Sequence, residues 1–296
     1  MNQICSGCPR ECGAARDGET GRGVCASGTL PRIARAGLHR WEEPCVSGTR
    51  GSGTVFFSGC ALRCVYCQNA EISLGGFGKT VAVQRLREIY AELAAVGAHN
   101  INLVNPTHYA DAVLASLDAP SGLNIPIIWN SGGYERIGTL RRLAGRIQIY
   151  MPDMKYASPE LAARYSRAPD YPETAQAAIR EMFRQTGPYR LDADGLLTRG
   201  VLLRHLVLPG NFDNTKRVID WVATTFRPGD ILFSLMSQYT PCGDLREYPE
   251  LRNTLTPAEH DAAVAYLLAS GVEDGFFQDP PDGEARYIPA FDLSGV

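Results

Sequence analysis

Six short runs of β-branched and aromatic residues, alternating with stretches of helical period, constrain this chain more than any other feature. The runs are Thr54–Ser58, Asn100–Asn105, Ile125–Asn130, Arg146–Met151, Val201–Leu208 and Ile231–Ser237. Between them lie Val81–Val96, Ala110–Leu117, Glu135–Ala144, Pro172–Gln185 and Asn214–Thr225, and Pro257–Ala269 follows the last run. Apolar runs this continuous are expected of strands covered on both faces. Their alternation with helices predicts an α/β fold with a parallel sheet, open or rolled into a barrel. In either closure, ligands bind at the carboxyl ends of the strands. Thr256 and Glu259 are spaced as a capping box at the start of the last helix.

The first 50 residues read differently. They are rich in Cys, Gly and Arg and lack regular periodicity, so residues 1–50 are expected to form an N-terminal extension on a core of residues 51–296. Eight of the nine cysteines fall within the first 67 residues, in a chain of 296. A disulfide framework suits short secreted chains, and an odd count in a long chain without a readable signal segment argues against it. A cytoplasmic location, with the thiols acting as metal ligands, is the expectation. The net charge of −3 gives no electrostatic argument for nucleic acid or an anionic membrane, and no run is long enough to span a bilayer. Lysines stand only at 79, 155 and 216.

Directly after the first predicted strand comes Ser58-Gly59-Cys60-Ala61-Leu62-Arg63-Cys64-Val65-Tyr66-Cys67-Gln68-Asn69. Three cysteines spaced CxxxCxxC can wrap three corners of an iron–sulfur cubane, for which thiolates are the fitting ligands. One iron is then left open to a small molecule. A zinc knuckle is the bland alternative, but it wants a fourth nearby ligand.

This motif, with the aromatic Tyr66 before its last cysteine, resembles the signature of the radical S-adenosylmethionine (SAM) superfamily. The resemblance extends to relatives of the pyruvate formate-lyase activating enzyme. It runs through Glu42-Glu43-Pro44-Cys45, Gly51–Phe57, Asn100–His108, Trp129–Glu135, Tyr150–Tyr156, Arg204–Gly210 and Ser237-Gln238-Tyr239. It implies a partial (β/α)6 barrel with a Cys-rich N-terminal extension and a [4Fe-4S] cluster on Cys60, Cys64 and Cys67. It also implies SAM as the ligand of the open iron, cleaved by one electron to methionine and a 5′-deoxyadenosyl radical. A flavodoxin or ferredoxin is the implied electron donor.

Polar residues at the predicted strand ends are the candidates for holding SAM. Tyr66 and Gln68 flank the last cluster cysteine. Asn105–His108 stands where superfamily members often carry Gly-Gly-Glu; lacking that acid, Thr107 and a backbone carbonyl are the expected substitutes. His108 fits a general base, a hydrogen-bond donor or a helix-start residue. Asn130 and Ser131 end the third strand. Activating enzymes often have an acid at the position of Asn130, which puts a cation site in doubt. Asp153 and Lys155 end the fourth strand with their side chains on one face. Buried charges there call for each other or for a ligand, and the resemblance implies that Lys155 reaches SAM while Asp153 orients it. Arg204, on the fifth strand, offers a planar fork for a carboxylate of SAM or substrate, or serves the surface.

Cys5, Cys8, Cys12 and Cys25 form C-x2-C-x3-C-x12-C, a spacing that suits zinc or a second [4Fe-4S] cluster. Cys45 and Cys242 read as lone small hydrophobes, with Cys242 nearer the expected active face. The function implied is a radical SAM oxidoreductase, either abstracting hydrogen from a glycine of a partner enzyme or modifying a small molecule or peptide directly. The reading of another class is a zinc-stabilised binding module without catalysis.

Overall fold

The structure is a computed structural model describing residues 3–118, 122–278 and 289–296. Its N-terminal residues form a hairpin, β1 (Gln3–Ile4) against β2 (Ala15–Arg16), whose loop carries Cys5, Cys8 and Cys12. Next come β3 (Arg32–His39), the one-turn helix α1 (Pro44–Ser47), β4 (Ser52–Phe57), α2 (Ala70–Ser73) and β5 (Lys79–Thr80). The repeating part follows as α3 (Val83–Ala95), β6 (Ile101–Val104), α4 (Ala110–Leu117), β7 (Ile127–Ser131), α5 (Ile137–Leu143) and β8 (Ile149–Pro152). Helices α6 (Pro159–Ser166) and α7 (Tyr171–Thr186) precede β9 (Arg190–Leu191) and β10 (Leu197–Leu206). Then come α8 (Phe212–Thr225), β11 (Leu232–Met236), α9 (Pro257–Ala269) and β12 (Gly275–Phe277).

All six predicted runs are strands, and they are consecutive neighbours in one sheet of order β12-β11-β10-β8-β7-β6-β4-β3-β5. From β4 to β12 every neighbouring pair is parallel. The β3 strand, which the sequence reading did not pick out, adds to β4 antiparallel over Ile33 to His39, and β5 continues that edge.

Alternation along each strand sorts side chains between two layers. Trp129, Tyr150, Leu203 and Phe233 face a core shared with Leu86, Val113, Ile179 and Val218 of the surrounding helices. The intervening residues Ile128, Ile149, Met151, Leu202 and Leu232 close instead on Cys45 and Val46 of α1. Each such large side chain, fully buried, contributes about 1.5–3 kcal/mol. Helix α1 thus covers this face of the sheet.

Candidate functional site

A cavity of about 230 Å³ opens at the carboxyl ends of the strands. Cys60, Cys64, Cys67, Tyr66 and Gln68 line it from the loop after β4, and Asn130, Ser131, Asp153, Lys155 and Arg204 line it from β7, β8 and β10. Gly59 turns the chain into the cysteine loop with φ 87°, and a Cβ there would stand 2.2 Å from Ser27 Oγ and 2.7 Å from the Cys25 carbonyl. Only glycine lets β4 end against the N-terminal segment in this way.

Among the described residues, no three Cys, His, Asp or Glu side chains are gathered closely enough to hold a single metal ion. Thiolates on one zinc at about 2.3 Å crowd around a point, whereas a cubane takes each thiolate on a different iron and spreads them. The Cys60–Cys67 loop fits the second case. Its thiols line one cavity, Ser166 Oγ donates to Cys64 Sγ at 3.0 Å, Ser73 Oγ to Cys67 Sγ at 3.2 Å, and the Leu62 amide to Cys60 Sγ at 3.4 Å. Burial pushes the Cys67 thiol up to about 12, with the Cys64 and Cys60 charges adding to it. Burial likewise raises Cys60, and the nearby Lys155 charge opposes the rise. Burial thus disfavours a bare thiolate at these positions, and a cationic centre bound to them would offset that cost.

The same cavity is lined by a network of charge. Lys155 Nζ donates to Asp153 Oδ2 at 2.6 Å, and Arg204 Nε donates to Asp153 Oδ1 at 3.1 Å. Arg204 also donates to Glu42 Oε2 at 3.1 Å and to Asn130 Oδ1 at 2.9 Å. Asn102 Nδ2 completes Glu42 by donating to Oε1 at 3.0 Å. Burial works against the Asp153 charge, but Lys155 and then Arg204 outweigh it and hold the carboxyl below its ordinary range. Burial also opposes the charge on Lys155, and Asp153 overcomes it, holding the ammonium well above its usual value. Glu42 is pushed up by burial against the pull of Arg204. Beneath it Glu43 is 3% exposed, and neither of its carboxyl oxygens has a hydrogen-bond partner among the described residues. Gly133, with φ 75° and its missing Cβ only 2.2 Å from the Asp153 carbonyl, lets the loop after β7 pass close to β8.

The structure therefore brings together Cys60, Cys64, Cys67, Tyr66, Gln68, Asn130, Ser131, Asp153, Lys155 and Arg204. It does not bring Thr107 and His108 to them. Thr107 Oγ1 donates to Glu135 Oε1 at 2.6 Å, and His108 Nε2 lies 2.8 Å from the Ser58 carbonyl. Both line a second cavity, of about 380 Å³, shared with Cys5 and Arg16. Asn105 is the reason: its backbone is left-handed (φ 59°) and its amide donates to the Gly59 carbonyl, so the residues after it turn away from the cysteine loop.

Glu42, Glu43 and Asn102 were missed as site residues. The first two lie before β4, away from the carboxyl ends of the predicted strands, and their signal is a pair of acids beside Pro44 in an otherwise Arg-rich stretch. The N-terminal cysteines share one region: burial raises Cys8 to about 12, and Cys25, Cys5 and Cys12 all stand near enough to act on it by charge. Cys242 Sγ lies 3.1 Å from the Tyr66 carbonyl, over the cysteine loop. Lys79 and Lys216 are exposed or half-buried, away from the cavity.

No protein-family model matches the chain. An uncharacterized protein of Methanocaldococcus jannaschii is 28% identical over 271 residues, 88% of this chain and 73% of its own. Among solved structures, Streptococcus suis SuiB bound to the precursor peptide SuiA matches with a TM-score of 0.52 at 12% identity, covering 74% of this chain. The match spans 46% of the SuiB chain, less than half its length. SuiB bound to S-adenosylmethionine matches with a TM-score of 0.48, again at 12% identity, covering 74% of this chain and 45% of SuiB. The first of these likenesses shows the fold: this chain shares with SuiB an α/β fold with a parallel-rich sheet, here preceded by a Cys-rich N-terminus. No helix among the described residues is long and apolar enough to cross a membrane.

Proposed function

We propose that the chain is a radical SAM enzyme that holds a [4Fe-4S] cluster on Cys60, Cys64 and Cys67 and SAM in the cavity beside them. The observation that carries this is that all three thiols line one cavity together with Lys155, Asp153, Arg204 and Asn130. When bound, the cluster supplies the electron that cleaves SAM to methionine and a 5′-deoxyadenosyl radical that abstracts hydrogen. A flavodoxin- or ferredoxin-type protein serves as donor in this reading.

The chain's own residues bind and orient. Lys155 offers an ammonium to the carboxylate or ribose of SAM, held in place by Asp153. Asn130 and Ser131 present hydrogen-bonding groups at the end of β7. Arg204 fixes Asp153 and Asn130 from behind, so it acts as a positioning residue. Phe56, Phe57, Leu62 and Tyr239 supply apolar wall that excludes water.

For the substrate, two proposals stand side by side. The sequence resemblance to activating enzymes supports hydrogen abstraction from a glycine of a partner protein. The fold shared with SuiB, whose complex holds a precursor peptide, supports direct modification of a peptide or small molecule. Anaerobically reconstituted protein with dithionite and SAM is expected to form 5′-deoxyadenosine, and the Cys60/Cys64/Cys67→Ala variant none. Failure of the wild type to bind iron and cleave SAM would refute the reading. Stimulation by a large partner protein, against stimulation by a diffusible peptide, separates the two substrates.

A further inference from the structure

The N-terminal segment has almost nothing of its own to fold around. Among residues 4–30 the only buried hydrophobic side chains are Cys8 and Cys25. A segment of this length without an apolar core needs a staple, and a metal bound by its thiols provides one. Hairpin β1–β2 brings Cys5 beside Ala14 through a 3.0 Å backbone bond, and the missing Cβ of Gly23 stands 3.0 Å from Cys12 Sγ. The hairpin loop thereby closes on the turn that carries Cys25.

A second observation points to negative charge at this place. Arg16 is 8% exposed, yet its guanidinium donates to the carbonyls of Ser27 and His108 at 2.9 and 2.8 Å, to the Gly28 carbonyl, and to Cys5 Sγ at 3.5 Å. None of these partners carries a formal charge while the thiol keeps its proton, and no carboxylate pairs with Arg16 among the described residues. An uncompensated buried cation costs several kcal/mol. Four thiolates on a metal centre, with a net charge below zero, compensate it.

The segment is also latched to the radical-site loop. Arg10, between Cys8 and Cys12, donates to the carbonyls of Ala61 at 2.8 Å, Leu62 at 3.2 Å and Ser166 at 2.8 Å, and to that of Arg167, while lying 5.4 Å over the Tyr134 ring. Ser166 is the residue whose hydroxyl donates to Cys64 Sγ. In return Arg63, inside the cysteine loop and left-handed at φ 59°, donates to the Val24 carbonyl at 3.2 Å, beside Cys25.

We propose that Cys5, Cys8, Cys12 and Cys25 hold an anionic iron–sulfur cluster with Arg16 as its buried counter-ion, and that Arg10 transmits its presence to the Cys60–Cys67 loop. The centre stands on its own observations; the coupling through Arg10 rests on the proposed radical SAM function. Filling the centre orders the hairpin loop, which seats Arg10 on four carbonyls and holds the second loop in its ligating shape. Emptying it frees Arg10 and loosens that loop.

The test uses the full chain, reconstituted anaerobically, with iron, sulfide and zinc counted in wild type, in Cys5/Cys8/Cys12/Cys25→Ala and in Cys60/Cys64/Cys67→Ala. About eight iron in the wild type, with about four lost in each variant, supports the centre as a second [4Fe-4S] cluster. One zinc per chain, present in the wild type and in the Cys60/Cys64/Cys67→Ala variant but absent from the four-cysteine variant, overturns the cluster. Metal content unchanged by the four-cysteine substitution overturns it. Metal on the N-terminal cysteines in a chain that takes up no iron on Cys60–Cys67 would instead sink the radical SAM reading alone. Arg16→Lys keeps the charge but loses the fork, and is expected to speed loss of the N-terminal metal to a chelator roughly 10- to 100-fold. For the latch, Arg10→Lys leaves one donor group where four carbonyls were held. Iron loss from the Cys60–Cys67 loop is expected to quicken in it by about 10-fold or more, with N-terminal metal content unchanged. An unaltered rate in Arg10→Lys and in Arg10→Gln overturns the coupling.

Discussion

Arg204 serves Glu42, Asp153 and Asn130 from a single guanidinium, with its side chain 14% exposed. Lysine, a point charge on a flexible stem, cannot hold three partners in one plane. Removing the cation altogether leaves two buried carboxylates facing one another, which costs about 3–5 kcal/mol. Arg204→Met is therefore expected to lower the unfolding free energy of the metal-free chain by that much, read as a lower urea midpoint at constant slope. The charge-conserving Arg204→Lys is expected to lose less stability but still to weaken SAM binding, because Asp153 and Lys155 lose their alignment. Equal stability in Arg204→Met and wild type would refute this account. Most of the network was legible: Asn130, Ser131, Asp153, Lys155 and Arg204 are polar groups at the ends of apolar runs, and a parallel sheet gathers such ends. Glu42 was not, since 162 residues separate it from Arg204 and no periodicity reports which distant carboxylate meets a given arginine. Thr107 and His108 sit at a strand end like the others, and the left-handed backbone of Asn105 that turns them away leaves no mark in a pattern of apolar runs.

At the scale of elements, the last helix shows how much local chemistry decides. Thr256 Oγ1 accepts from the Glu259 amide at 3.2 Å while Glu259 Oε2 accepts from the Thr256 amide at 2.9 Å, so α9 begins where the capping box places it. Glu259 also accepts from the Gly210 amide at 2.7 Å, tying the helix start to the loop after β10. Thr256→Ala is expected to cost about 1 kcal/mol and Thr256→Ser little, read as shifts of the urea midpoint at constant slope. Equal midpoints for the alanine and wild-type proteins would show that the Gly210 contact alone sets the helix start. The strand β3 illustrates the opposite case. Arg32-Ile33-Ala34-Arg35-Ala36-Gly37-Leu38-His39 mixes small, charged and apolar residues without clean alternation. Pairing with β4 and cover from the C-terminal residues, including the Leu293 amide bonded to the Ala34 carbonyl, make it a strand. Tertiary contact overrode weak local preference there.

For the molecule as a whole, two histidines buried at separate places along the sheet set a common sensitivity to acid. His205, on β10, has Nδ1 at 2.6 Å from the Met154 carbonyl and Nε2 at 3.0 Å from Thr215 Oγ1, a pair of contacts that one neutral tautomer satisfies. His108 lies against the Ser58 carbonyl and the N-terminal segment. Burial, the largest cause in both, lowers each to about 4 from an ordinary 6.5. The unfolded chain takes up protons on these rings near pH 6.5, and the folded chain resists until about pH 4. Between those limits the unfolded state binds more protons, so the stabilisation is complete above about 6.5 and is lost as the pH falls towards 4. Each ring contributes a slope of about 1.4 kcal/mol per pH unit in that window. Glutamine at 205 can donate to Met154 and accept from Thr215 without titrating. The His205→Gln chain, studied without metal, is therefore expected to keep most of its stability at pH 7 and to lose it less steeply than the wild type towards pH 4, by about 1.4 kcal/mol per pH unit. Parallel stability–pH curves for the two proteins would mean that His205 is charged in the fold, and its contacts with Met154 and Thr215 would need another arrangement.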